Sequence, residues 1–135
     1  MHKKDYIQRQ FEEFGRVLAL ILGSKKQKDW EKFEIEIDEA IRKFTSLEID
    51  AVEKHNDEEF EKVVIKNPAL SQEQRKILAN LLFEKLEFYL QGDDLENFVF
   101  LKQKCLALYS YLQDNATNNE FDLDVHYKLE ILKEM

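Results

Sequence analysis

Apolar residues recur at steps of three and four along most of this chain. From Tyr6 through Ile7, Phe11, Phe14, Leu18 and Ile21 to Leu22 they trace one stripe. That period predicts a helix starting near Lys4-Asp5. Val17 and Leu20 widen the stripe, so this helix is expected to be covered on two sides. Gly23-Ser24 reads as its C-terminal signal, and Lys25, Lys26 and Lys28 suit the negative end of the helix dipole. Asp29 is placed to cap a second helix, with Trp30, Phe33, Ile37, Ala40, Ile41 and Phe44 inward. A link this short predicts antiparallel packing of the first two helices.

Residues 46–70 are less regular. Ile49, Val52, Phe60, Val63, Val64 and Ile65 can supply one or two short helices. His55-Asn56-Asp57 reads as a break with a cap, and Asn67-Pro68 ends what precedes it. Ser71 with Gln74 fits a capping box for a helix running to about Gln91, with Leu78, Leu81, Leu82, Phe83, Leu86, Tyr89 and Leu90 as its core stripe. Gly92-Asp93-Asp94 is the turn. Its partner helix carries Leu95, Phe98, Leu101, Cys105, Leu108, Tyr109 and Leu112. From Phe121 to Ile131 two patterns compete: strict alternation, as in a strand, and Phe121, Val125, Leu129 and Leu132 at helical spacing. A helix over 121–133 is favoured, because a lone strand has no partner in a helical chain.

The fold expectation is therefore all-α, with five to six helices. One domain spans 1–135: a hairpin over 4–45, a connector over 46–70, a hairpin over 71–113 and the C-terminal helix. Only three Gly and one Pro in 135 residues agree with few, long elements. A charged fraction of 36% agrees with amphipathic helices whose outer faces are solvated.

The two hairpins share a pattern. Asp29-Trp30-Glu31-Lys32-Phe33 precedes Ala40-Ile41 and Phe44, and Asp94-Leu95-Glu96-Asn97-Phe98 precedes Cys105-Leu106 and Tyr109. Each equivalent pair lies 65 positions apart: 29 and 94, 33 and 98, 40 and 105, 44 and 109. These residues resemble the tetratricopeptide repeat, which has a glycine-acidic-aromatic turn followed by an alanine and a large apolar residue deep in the second helix. The stretch from Asp5-Tyr6-Ile7 through Leu22-Gly23 is also similar to a group of uncharacterised bacterial proteins with such hairpins. The resemblance implies a stacked-helix scaffold that binds a protein or peptide. The chain departs from the family where small residues are usual: Ile21, Leu86, Phe33 and Phe98 are bulky, and no closing proline follows either hairpin. Those departures leave a compact bundle and an open solenoid as alternatives.

A net charge of −8 argues against nucleic acid and against an anionic membrane surface as partners. No apolar run approaches the ~18 residues of a membrane span. The run from Val17 to Leu22 is too short, and too close to Glu12, Glu13 and Arg16, for a secretion signal. The expected location is the cytoplasm. The single Cys105 excludes an intramolecular disulfide and reads as a buried small hydrophobe.

No catalytic motif emerges, and no cofactor or metal is expected. His2, His55 and His126 lack metal-ligand spacing. Asn118, Asn119, Glu120, Asp122 and Asp124 lack the central Gly of a calcium loop. Glu58-Glu59 and Asp38-Glu39 read as solvated helix faces rather than an acid/base pair. Candidate partner-binding residues are Lys25 and Lys26 at the end of the first helix, and Asn80 and Glu87, polar positions on the first helix of the second hairpin. Trp30, in the first turn of its helix, joins them.

The leading functional expectation is a non-catalytic interaction scaffold or regulator that docks a helix or extended peptide. A structural homodimer is the first alternative. An enzyme or metal protein, whose site forms only in three dimensions, is the second.

Overall fold

The computed structural model describes residues 3–116 and 122–135, without the side chains of residues 3, 4, 7 and 51. It is all-α, with seven α-helices among the described residues. Helix α1 spans Lys3–Lys26, α2 Trp30–Thr45, α3 Ile49–Lys54 and α4 Asp57–Phe60. The chain then runs through a π-helical turn, Glu61–Ile65, into α5 Gln72–Gln91, α6 Leu95–Asp114 and α7 Leu123–Glu134. The connector thus holds two short helices and the π turn.

The long helices stack in chain order: α1 on α2, α2 on α5, α5 on α6, and α6 on α7. Side-chain pairs set their directions. Phe14 meets Phe44 and Ser24 meets Glu36, so α1 and α2 run antiparallel, as the short link predicts. Trp30 meets Phe88 while Gln74 reaches the Phe44 carbonyl, which makes α2 and α5 antiparallel as well. Lys102 reaches Met135 while Gln113 meets His126, so α6 and α7 follow the same rule. A single cluster of buried side chains runs through all of them, with Ile21, Phe33, Ile41, Leu82, Leu108 and Leu132 completely or almost completely hidden.

Local signals placed the helix starts. Asp29 accepts from the Lys32 N–H, Asn56 from Glu59, Asp94 from Asn97 and Asp122 from Val125. The capping box at Ser71 has both of its bonds: Ser71 N–H to Gln74 Oε1 at 2.8 Å, and Gln74 N–H to Ser71 Oγ at 3.1 Å. The segment over which two patterns compete is a helix from Leu123 onward, burying Val125, Leu129 and Leu132 against α6. Residue 121 lies outside the described residues.

The spacing of 65 extends to individual backbone bonds. In the first turn Gln27 N–H bonds the Gly23 carbonyl, Lys28 that of Lys25, and Asp29 that of Ser24. In the second, Gly92 bonds Phe88, Asp93 bonds Leu90, and Asp94 bonds Tyr89. Every donor and acceptor is displaced by the same interval. The pattern is that of a Schellman motif. Lys28 and Asp93 hold its left-handed position, at φ 59° and 57°.

Three expectations need correction. Gly23-Ser24 does not end α1, which continues to Lys26, and Ser24 is buried with its hydroxyl on Glu36. Helix α1 is not covered on two sides. It packs chiefly on α2, and Leu20 stays 65% exposed, with Tyr6 and Leu22 also outside. Leu90 and Leu95, placed inward by their period, are exposed because they flank the second turn, where the helix pair has run out.

Candidate functional site

The structure brings Lys25 and Glu87 together, with Trp30 against the neighbouring Phe88, and sets Asn80 apart. Lys25, at the end of α1, donates to Glu84 at 3.0 Å and to Glu87 on α5. Burial pulls the Lys25 ammonium down, but the two carboxylates outweigh it and hold the group above its ordinary range. Lys25 and Glu87 therefore satisfy each other in a clamp between the two hairpins. Lys26 beside them is exposed. Trp30 is half-buried, with its ring 5.5 Å from Phe33 and 5.7 Å from Phe88, so it seals α2 against α5. Asn80 accepts from the Tyr109 hydroxyl at 2.7 Å and from Lys128 Nζ at 2.8 Å, which ties α5 to α6 and α7.

A concavity lies elsewhere, along α6. Two adjoining recesses, of about 600 and 680 Å3, share Asp57 and Gln103 and separate α6 from the connector. On the α6 side Glu96, Phe100, Gln103, Ala107, Ser110 and Asp114 line them. Steps of four and three put these residues on one straight face of the helix. Across from them stand Asp57, Phe60, Glu61 and Ile65, from α4 and the π turn. Val99 is 55% exposed and Phe100 44% exposed at one end of the groove.

The wall facing α6 is a π turn, a rare conformation that is frequent at functional sites. Lys66 N–H reaches back five residues to the Glu61 carbonyl at 2.7 Å. Arg75, buried at the start of α5, stabilises that turn from behind. Its guanidinium donates to the carbonyls of Val64 and Asn67 and to Gln72 Oε1, and its face lies 5.5 Å from the Tyr111 ring centre. One side chain thus satisfies the carbonyls that the end of the turn leaves without partners.

A polar network supports the other end. Lys104, 1% exposed, donates to the Glu53 carbonyl at 2.8 Å, and its Nζ lies 3.3 Å from the Phe100 ring centre. Burial holds the Lys104 ammonium below its usual range. Tyr89 donates its hydroxyl to the Glu53 carboxylate, at 2.9 and 3.0 Å from the two oxygens. Burial raises both groups, and the neighbouring Glu53 charge raises Tyr89 further. Lys85, 2% exposed, lies 3.3 Å from Asp38 and 3.5 Å from Glu34. Burial also raises Asp38.

Burial drives the Cys105 thiol and the Tyr109 hydroxyl well above their ordinary ranges. No three His, Cys, Asp or Glu among the described residues are placed to hold a metal ion. His55 keeps Nδ1 buried without a hydrogen-bond partner among the described residues, with Nε2 4.0 Å from Glu59. Asp122 pairs with Lys76, and His126 meets Gln113. Residues 118–120 lie outside the described residues. No helix among those described is long and apolar enough to cross a membrane.

No family model, curated protein or solved structure matches this chain.

The groove residues stand out less in the sequence than the α5 stripe and the helix ends, whose signals are local. A signal was present: Val99 and Phe100 are adjacent, and neither falls on the stripe of Phe98, Leu101, Cys105 and Leu108. Large apolar residues on the wet face of an amphipathic helix mark a surface meant to be covered.

Proposed function

We propose that the protein is a non-catalytic interaction scaffold that docks a peptide segment of a partner in the groove between α6 and the connector. One observation carries this reading: a straight face of α6, open to solvent along its length, with Val99 and Phe100 exposed at one end and a π-helical wall opposite. An extended or helical segment gains affinity there by burying those side chains, at about 25 cal/mol per Å2 of apolar area before ordering costs. Burial of Cys105 and Tyr109 supports the absence of a nucleophilic role, since neither group ionises readily. The proposed setting is the cytoplasm, and the scaffold role agrees with the tetratricopeptide-like pattern of the two hairpins.

Selection from a displayed random-peptide library tests the reading. Binders are expected to lose affinity at least about tenfold on Phe100→Glu and to keep it on Leu20→Glu, at the far end of the stack. Selected peptides that bind Phe100→Glu as well as the parent would sink it.

A homodimer is the second reading, and the free face of α1 favours it. Tyr6, Leu20 and Leu22 are exposed on a terminal helix of the stack, with Ile35 exposed on α2. Stacked-helix arrays ordinarily carry a polar outer face on their terminal helices. A monomer mass by light scattering at micromolar concentration removes this reading.

A further inference from the structure

We infer that the occupant of the α6 groove is a basic amphipathic helix of a partner protein. The inference rests on the docking reading above and adds the chemistry of the ligand. The groove is an apolar floor inside an acidic rim. Glu96 and Asp114 stand at the two ends of the α6 face, and Asp57 and Glu61 stand on the connector wall. No described Lys, Arg or His lies within ion-pair distance of Asp57, Glu96 or Asp114. Glu61 meets only the exposed Lys66, at 3.3 Å.

Two lysines line the groove and offset its four carboxylates only in part, Lys104 by its attraction to Asp57. Lys104 is committed inward, to the Glu53 carbonyl and the Phe100 ring. Lys54 is the one cation lining the groove that is exposed. An acidic or phosphorylated segment would bring like charge against four carboxylates, on a chain already at −8. A neutral apolar segment would bury Phe100 but leave those carboxylates partly desolvated without partners. A segment with lysines or arginines flanking an apolar stripe satisfies both parts.

Length favours a helix over a short extended peptide. From residue 96 to 114 the face runs about 27 Å at 1.5 Å per residue, which matches a helix of about 18 residues. Ala107 and Ser110 keep the middle of that face low, so a second helix can approach closely between Phe100 and Tyr111. The partner would present apolar residues at helical spacing and place its cations over the rim.

The experiment uses three synthetic helical peptides of about 18 residues with the same leucine stripe. Their polar positions carry lysine, glutamine or glutamate, and binding to the full chain is read by fluorescence anisotropy. The lysine peptide is expected to bind at least about tenfold tighter than the glutamine peptide, and the glutamate peptide not measurably. Raising the salt should weaken the lysine peptide most, because an exposed rim is screened. The triple variant Asp57→Asn, Glu96→Gln, Asp114→Asn is expected to lose about tenfold for the lysine peptide. Removing equal charge on α1 and α2, by Glu12→Gln, Glu31→Gln and Glu39→Gln, should change it less than about twofold. Circular dichroism establishes that each variant is folded.

Glutamine and lysine peptides binding equally, with both weakened at least about tenfold on Phe100→Ala, would overturn the charge inference and leave the docking reading standing. Equal losses from the two charge-removal variants would also overturn it, since the attraction would then belong to the whole chain. No peptide binding, or binding unmoved by Phe100→Ala, would overturn both.

Discussion

The two hairpins share a turn to the last backbone hydrogen bond, yet the helices that enter those turns have opposite fates. Helix α5 buries Arg75, Lys85 and seven apolar side chains between α2 and α6. Helix α1 buries Phe14, Ile21 and Ser24, and leaves Leu20 and Tyr6 in water. Equivalent positions diverge accordingly: Leu82 is fully buried, whereas Val17, 65 positions earlier, is half-buried. The repeated pattern sets the bend, and place in the stack sets the burial. An inner helix is packed along its length on both sides, and the terminal helix α1 packs chiefly on one.

The sharpest way to break this comparison is to truncate both equivalent side chains to alanine. Leu82→Ala should cost about 2–5 kcal/mol, as for deeply buried leucines. Val17→Ala should cost less than about 1 kcal/mol, because its site is half open to water. Urea unfolding of the two variants measures both, and equal costs would mean α1 is as tightly held as α5.

The next effect concerns the groove wall behind α5. Arg75→Met keeps volume but removes the donors to the Val64 and Asn67 carbonyls. A loss of about 2–3 kcal/mol is expected, from buried carbonyls left without partners. Hydrogen exchange should locate it in the π turn first. Protection lost equally in α1 would show that the wall is not a separate unit.

A smaller pair of substitutions sharpens the likeness of the turns. Lys28→Gly and Asp93→Gly each relieve a left-handed non-glycine residue and should each gain about 0.5–1 kcal/mol. Because the two turns have the same bonds, the gains should agree to within a few tenths of that unit. Thermal unfolding of the single variants and the double variant reads this directly.

The smallest effect is one of pH. Glu53 has its folded-state pKa raised above the ordinary value of 4.5 by burial. Such a group binds its proton more readily when folded, so it favours folding below 4.5 and loses that contribution as pH rises through the raised value. Glu53→Gln removes this dependence. The stability difference between parent and variant should move in favour of the parent as pH falls from 7 toward 5. Asp122 acts in the opposite sense. Burial alone would raise it, but Lys76 and the Val125 N–H hold it low, so its contribution persists at neutral pH and is lost on acidification through that lowered value.

Much of the fold was legible in advance because its signals are local. The caps at Asp29, Asn56, Ser71 and Asp122 are bonds to backbone only three residues away. A period of three and four placed Phe33, Ile37, Ala40 and Phe44 on one buried face, and they are buried. The candidate site was far less legible. Charge on helix faces read as solvated, yet Lys85 and Lys104 are among the most deeply buried side chains. The Lys25–Glu87 contact joins two residues that the sequence offered separately, and it turns both inward.

By itself the sequence determined the all-helical character, the starts of the helices and the two equivalent turns. Each depends on contacts within about one helical turn, and the residues there state their preferences directly. Only the tertiary structure decided which stripes are covered and where the groove opens. Lys104 meets the Glu53 carbonyl across 51 positions and Tyr89 meets its carboxylate across 36. Such pairings follow from how helices stack, and no local pattern carries that information. The exposed face of α6 follows from the same stacking: α5 and α7 cover its other sides, and the short connector stands off just far enough to leave a channel.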